Sequence, residues 1–470
     1  MILMLFNKRI VVLIVTLACV SVGWMTQSDQ RPNFVFLLAD DLGYGDLGCF
    51  GREDLATPVL DRLADQGVRL TAHYANGPEC TPTRAAFLTG RYQQRVGGLE
   101  CAIGIGNIGR YDDAIRLRKT RDLGLPATEQ SIALLLQKSG YATCLSGKWH
   151  LGYEQKFAPN FQGFDNAFYC IGGGMDYFDY SDLEGFYNLY ENGYAVSRRG
   201  YFTDLLTDYA IDFLEDQTEE KPFFLYVPFT APHSPFQGPA DGNNAPTNQE
   251  LWRQGKAPPD VYIAMIEHID YSVGRILDVL DEKGLSQNTV VFFSSDNGGT
   301  GSARNAPFSG IKGMTFEGGI RVPGIIRWPR RLPAGLTSDE PCLTFDFTAS
   351  MAALAGVAPS KDKPLEGVDI VSHLAAGGAR IHRDLFWRKE RNGGVWKAVQ
   401  RGSLKYIGRT TPDGNTSEYL FNLSNDPKEK NNLRESRIED FKELKSVYDA
   451  WEYETRKNRR GAPGWVEANQ

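Results

Sequence analysis

The sequence predicts an α/β protein in which a large, mainly parallel central sheet is sandwiched by helices and followed by a smaller C-terminal antiparallel sheet with a helix. Three observations predict it. Apolar, β-rich runs alternate with helical patterns along most of the chain. Those runs are continuously apolar, as strands covered on both faces of a parallel sheet must be. After about residue 365 the texture changes: "HRDLFWRKERNGGVWKAVQRGSLKYIG" contains two strand-like stretches around a Gly-Gly turn. The stretch "YLFNLSNDPKEKNNL" and a charged helical tail from about Ile438 to Lys457 follow it.

Taken in order, the elements divide the chain into an export signal (1–28), a catalytic domain (29–365) and a C-terminal α+β subdomain (366–470). Lys8 and Arg9 precede the apolar run "IVVLIVTLACVSVGW" and a polar stretch, the pattern of a signal cut near Gly23. An uncleaved membrane anchor is set aside because the run is short for a span. A lipid-attached Cys19 is set aside because Thr16 stands where such a box needs a branched apolar residue. The first strand, "NFVFLLA", stops at Asp40 and Asp41. In "ECTPTRAAFLTGR", Thr81 suits an N-cap, Pro82 the first helical position and Gly90 the helix end. That leaves Cys80 at a helix N-terminus, where an anion is favoured, with Arg84 one turn on. A helix over "TEQSIALLLQKSG" leads to the strand "YATCLSG", which stops at Lys148 and His150. The strand "FFLYVPF" leads through "TAP" to His233. After the helical stretch "PDVYIAMIEHIDYSVGRILDVLDEKG", the strand "TVVFFSS" ends on Asp296 and Asn297. Ligands of such sheets bind beyond the carboxyl ends of the strands, so the four polar terminations are expected to face one crevice.

Composition excludes other classes. With 470 residues, 42% of them hydrophobic, the chain buries a large core, and 23% charged residues at net charge -7 leave no basic stretch for nucleic acid or a membrane surface. Six cysteines follow Cys19, widely spaced, and their pairing is left open.

"CTPTRAAFLTGR" resembles the signature of the type I sulfatases, members of the alkaline phosphatase superfamily. In that family the cysteine of Cys-x-Pro-Ser/Thr-Arg is oxidised to formylglycine after synthesis. "LLADDLGYGDLGCFG", "SGKWHLG", "APHSPF", "SSDNGG" and "GIKGMTFEGGIRVP" resemble further family motifs in the family's order, as does the C-terminal "YLFNLSNDPKEKNNL". The resemblance implies that Cys80 becomes the nucleophile, with Pro82 and Arg84 read on the unfolded chain by a formylglycine-generating enzyme, and that Arg84 serves again in the folded site as a catalytic residue, helping the cation to lower the proton affinity of the attacking oxygen. It implies a Ca2+ held by Asp40, Asp41, Asp296, Asn297 and the modified Cys80, and oxygen ligands of this kind suit a hard cation. Lys148 and Lys312 would bind and neutralise the sulfuryl group. His233 or Lys312 would protonate the leaving alcohol, and His150 would take the proton from the second hydroxyl of the hydrated aldehyde. Glu317 and Arg321 read as structural.

The expected function is an exported, periplasmic or extracellular sulfatase acting on a sulfated saccharide. The glycine-rich, aromatic stretch 168–194 is a candidate wall of its pocket, and Arg95 or Glu100 a further contact. Two other readings compete. A phosphoester or phosphonate hydrolase of the superfamily is disfavoured because phosphate enzymes commonly carry Asp-His where this chain has Asp296-Asn297. A silent carbohydrate-binding homologue is disfavoured because every charged motif position is filled.

Overall fold

In a computed structural model describing residues 30–242, 257–357 and 359–465, the four apolar runs lie side by side in one sheet. The expected export signal, with Cys19 and Gly23, lies outside the described residues. In chain order the strands are β1 (Asn33–Ala39), β2 (Val68–Leu70), β3 (His73–Tyr74), β4 (Ala142–Lys148), β5 (Asn166–Cys170), β6 (Leu189–Glu191), β7 (Tyr194–Ala195) and β8 (Phe223–Pro228). They continue as β9 (Thr289–Ser295), β10 (Gly324–Arg327), β11 (Leu336–Ser338), β12 (Cys342–Leu343), β13 (Asp384–Arg391), β14 (Gly394–Arg401), β15 (Leu404–Thr410) and β16 (Thr416–Asn422). Ten of them form the main sheet in the order β11-β2-β10-β9-β1-β8-β4-β5-β6-β7. The run β9-β1-β8-β4-β5 is parallel throughout, and β10, β6 and β7 are antiparallel to their neighbours.

The period of a strand explains why these runs are apolar on every residue. Along β1, Phe34, Phe36 and Leu38 enter one core, and Val35, Leu37 and Ala39 enter the other. The first core is closed by the helices Cys80–Thr89, Ile132–Lys138 and Thr344–Ala355, and the second by Pro58–Asp65, Phe202–Glu215 and Pro259–Glu282. Each large apolar side chain buried this way contributes about 1.5–3 kcal/mol. Register then aligns the polar ends: Ala39 of β1 pairs with Ser295 of β9, so Asp40 and Asp296 emerge as neighbours. Tyr226 of β8 pairs with Leu145 of β4, which brings Lys148 to the same edge.

The C-terminal sheet β13-β14-β15-β16 is antiparallel, and its first hairpin turns at Asn392 and Gly393, both at positive φ as such tight turns require. The helix Ile438–Arg456 covers one face through Phe441, Leu444 and Tyr448. The other face packs Leu385, Trp387, Ile407 and Phe421 against Tyr74, Leu343 and Phe345 of the main unit.

One local expectation is corrected. The signature helix begins at Cys80 with Glu79 as its N-cap residue, whose side chain makes no capping hydrogen bond, while the Thr81 hydroxyl donates to the His150 carbonyl (3.0 Å). The stretch 168–194 extends the sheet, carrying the end of β5, all of β6 and the start of β7. Among the described residues all six cysteines are free, and no helix is long and apolar enough to cross a membrane.

Candidate active site

The crevice lies at the carboxyl edge of β9-β1-β8-β4. Asp40 and Asp41 leave β1, and Asp41 adopts the left-handed region (φ 66°), as does His150 after β4 (φ 56°). Non-glycine residues held there cost about 1–3 kcal/mol each, which the surrounding packing must offset. Cys80 Sγ is buried 3.3 Å from Asp40 Oδ1 and 3.4 Å from Lys312 Nζ. Lys312 also donates to Asp41 Oδ1 and Oδ2 (2.7 and 2.9 Å), and Lys148 Nζ donates to Asp40 Oδ2. Arg84, fully buried one turn beyond Cys80, donates through Nε to Asp296 Oδ2 (2.9 Å) and through Nη1 to the Lys148 carbonyl (2.9 Å), with Nη2 in ion-pair contact with the same Asp296 oxygen at 2.8 Å. His233 Nε2 stands 3.7 Å from Asp41 Oδ2. The ten residues given catalytic or metal-binding roles from the sequence therefore lie around one crevice.

Three carboxylates, Asp40, Asp41 and Asp296, face three cations, Arg84, Lys148 and Lys312, so the side chains alone are close to neutral. The Asn297 amide donates to Asp41 Oδ1 (2.7 Å), but its Oδ1 is buried without a partner. An unpartnered amide oxygen beside three carboxylates fits a hard cation such as Ca2+. Asp40, Asp41, Cys80 and His233 each bring one donor atom within 4.8 Å of the others. Asp296 turns Oδ2 to Arg84 and accepts the Asp41 N–H at Oδ1 (3.3 Å), so here it borders that cluster.

Burial governs the proton affinities. It pushes the Asp41 carboxyl up, but Lys312, His233 and Lys148 outweigh it and hold Asp41 well below the ordinary range. Burial and the adjacent Asp40 push Asp296 up to about 6 against the pull of Arg84. The Cys80 thiol is pushed far up by burial and then by Asp296 and Asp40, which leaves it protonated and a poor nucleophile as a thiol. Burial, then Lys148, holds His150 well below the usual histidine value, and burial takes His233 down to about 3. Burial opposes the charges of Lys148 and Lys312, but Asp40 and Asp41 respectively prevail and keep both ammonium groups charged.

Several residues that shape the crevice were not singled out by sequence. Glu79 accepts from Ala102 N–H (2.7 Å) and pairs with Lys389 and Arg391 (both 2.9 Å), tying the start of the signature helix to β13. Gly173 and Gly174 press against the two histidines: a β-carbon there would lie 2.6 Å from His150 Cε1 and 3.0 Å from His233 Nδ1. Tyr177 donates to the His233 carbonyl (3.0 Å). The glycine-rich composition of 168–194 was the available signal for the last three. Arg95 and Glu100, expected as further contacts, turn elsewhere: Arg95 pairs with Glu366 (2.8 Å), and the buried Glu100 pairs with Arg388 and Arg456.

The sulfatase family model matches residues 32–357. N-acetylgalactosamine-6-sulfatase of Canis lupus familiaris is 34% identical over 395 residues, covering 80% of this chain and 71% of its own length. Steryl-sulfatase of Homo sapiens is 29% identical, covering 90% of this chain and 88% of its own. The crystal structure of Ps i-CgsB in complex with k-i-k-neocarrahexaose is similar with TM-score 0.77 and 28% identity, over 93% of this chain and 96% of that one.

Proposed function

Because the chain belongs to the sulfatase family and is a sulfuric ester hydrolase, we propose that it removes sulfate from a sulfated saccharide, using position 80 as nucleophile after conversion of Cys80 to formylglycine. The observation that carries this reading is the seat of Cys80 Sγ between Asp40 and Lys312, where a thiol is held inert and an oxygen nucleophile would be well served. Ca2+ held by Asp40, Asp41, Asp296 and Asn297 would supply charge neutralisation, and hydrated formylglycine the attacking hydroxyl.

The chain's own residues do the rest. Lys148 and Lys312 bind the sulfuryl oxygens as they gain charge. Arg84, braced by Asp296 and the Lys148 carbonyl, keeps the floor of the crevice rigid. His150 Nε2–H donates to the Ile103 carbonyl (2.9 Å), so its lone pair is on Nδ1, a buried nitrogen with no partner. Neutral and unpartnered, Nδ1 is the acceptor for the proton released when position 80 returns to its carbonyl state. His233 Nδ1–H donates to Ser234 O (2.5 Å), which leaves Nε2 facing Asp41 without a proton. Of the two candidates, Lys312 is therefore the donor to the leaving alcohol.

A saccharide substrate is supported by the relative named N-acetylgalactosamine-6-sulfatase and by the similar structure in complex with k-i-k-neocarrahexaose. The reading retains residues 29–365 as the catalytic unit, 366–470 as its subdomain, a formylglycine-generating enzyme as partner, and export to the periplasm or beyond through residues 1–28. The test is sulfate release from a panel of sulfated saccharides by protein co-expressed with that maturation enzyme. Release abolished by Cys80→Ala is expected; none from protein whose Cys80 peptide has the aldehyde mass overturns the reading.

A further inference from the structure

The segment from Cys101 to Arg110 closes over the N-terminal end of the signature helix. Ala102 N–H donates to Glu79, Ile103 N–H to Thr81 Oγ1 (3.3 Å), and the Ile103 carbonyl accepts from His150 Nε2. Gly104 and Ile108 bridge, and the chain returns to Arg110, whose carbonyl accepts from Asn392 N–H (2.7 Å). The Arg110 guanidinium is half-buried with Nε beside Gly104, 3.1 Å from where a β-carbon there would be. It makes no hydrogen bond or ion pair with any described residue.

The local charge does not balance. Both Lys389 and Arg391 lie on Glu79 Oε1, while Glu79 Oε2 takes a backbone N–H, so the one nearby carboxylate is fully engaged. Three cations thus surround one anion, and burial followed by the like charge of Arg391 disfavours the Arg110 cation. Arginine does not relieve this by losing its proton. The field of Arg110 reaches Cys80 and Tyr153, and its Nε flanks Gly104, next in sequence to the carbonyl that anchors His150. A half-desolvated guanidinium without a counterion costs stability until an anion arrives.

We propose that Arg110 receives a second anionic group of the substrate, a carboxylate or a further sulfate, beside the sulfate ester that is cleaved. The planar donor fork of arginine matches either anion in two-point contact. This rests on the sulfatase reading and narrows its substrate to a saccharide with more than one negative charge.

Matured enzyme of verified aldehyde content is assayed on sulfated saccharides in matched sets: one sulfate, two sulfates, and one sulfate with a neighbouring uronic acid. The wild type is expected to prefer a doubly charged member, and which one separates sulfate from carboxylate. In Arg110→Ala that preference, the ratio of kcat/KM values, falls by roughly 10- to 100-fold through KM, the loss of one charge-assisted contact. Arg110→Lys retains part of it. A wild type without preference, or a ratio unchanged in Arg110→Ala, overturns the proposal. Absence of sulfate release from every member by aldehyde-bearing wild type overturns the sulfatase reading itself, and the anion receptor with it.

Discussion

Two glycines with no side chain hold the two histidines in place. Gly173→Ala would put a methyl group 2.8 Å from His150 Nε2, so the ring must move off the Ile103 carbonyl that fixes its tautomer. A displacement of that size costs about 100-fold in kcat. Sulfate release at matched aldehyde content measures it, and an unchanged kcat would mean that the ring does not need this seat. Asp40, Asp41, Lys148 and Asp296 were legible because each ends or directly follows an apolar strand, which fixes its place on the sheet edge before any contact is known, whereas Lys312 was legible only through the motif around it. Gly173, Glu79 and Arg110 were not, because their roles depend on segments remote in sequence; Arg391 joins Glu79 from 312 positions away. Arg95 and Glu100 were misread for the same reason: charge and proximity to the signature say nothing of a partner such as Glu366 or Arg388.

At the scale of elements, one helix caps another. The helix Pro58–Asp65 starts at Thr57 without a side-chain cap of its own, and its Val59 and Leu60 N–H groups donate to Asp270 (3.1 and 2.7 Å), in the middle of Pro259–Glu282. Asp270→Ala should cost about 1–3 kcal/mol, since it strands one buried and one half-buried donor. Burial, opposed by those two N–H bonds, pushes the Asp270 carboxyl up to about 6. Its folded proton affinity exceeds the unfolded one, so its contribution is complete below the ordinary carboxylate value and is lost as pH rises through about 6. Asp270→Asn cannot ionise. Urea unfolding at both ends of that window should therefore show the wild type's advantage over Asp270→Asn shrinking toward neutral pH; an advantage that grows would reverse the assignment. The two helices were readable from their sequences, but a cap supplied from another helix has no local signature.

At the scale of the molecule, Lys405 of β15 fastens the C-terminal sheet to the loop that bears Lys312. It is fully buried and pairs with Glu317 (2.7 Å) and Glu429 (2.9 Å), and Glu317 also accepts from Tyr74 and Arg321. Burial and the adjacent Glu317 charge raise Glu429 toward neutrality, whereas Lys405 and Arg321 hold Glu317 below its ordinary value despite burial. Lys405→Met leaves two buried carboxylates without their cation, a loss of about 3–5 kcal/mol that thermal unfolding would register. Stability lost equally at pH 5 and pH 8 would contradict this, because the cost should ease as the carboxyls take up protons. The sequence announced the second sheet by its hairpin and predicted the parallel core from its buried strands. It could not announce the junction, which joins residues from both units. Cys80 is 1% exposed in a helix whose ten residues are all buried, so no enzyme can reach it in the finished fold. Under the proposed conversion of Cys80, modification and folding would compete for each new chain, and one that folds first would be locked out until it unfolds. The activity of a preparation would then record how fast its molecules closed during synthesis.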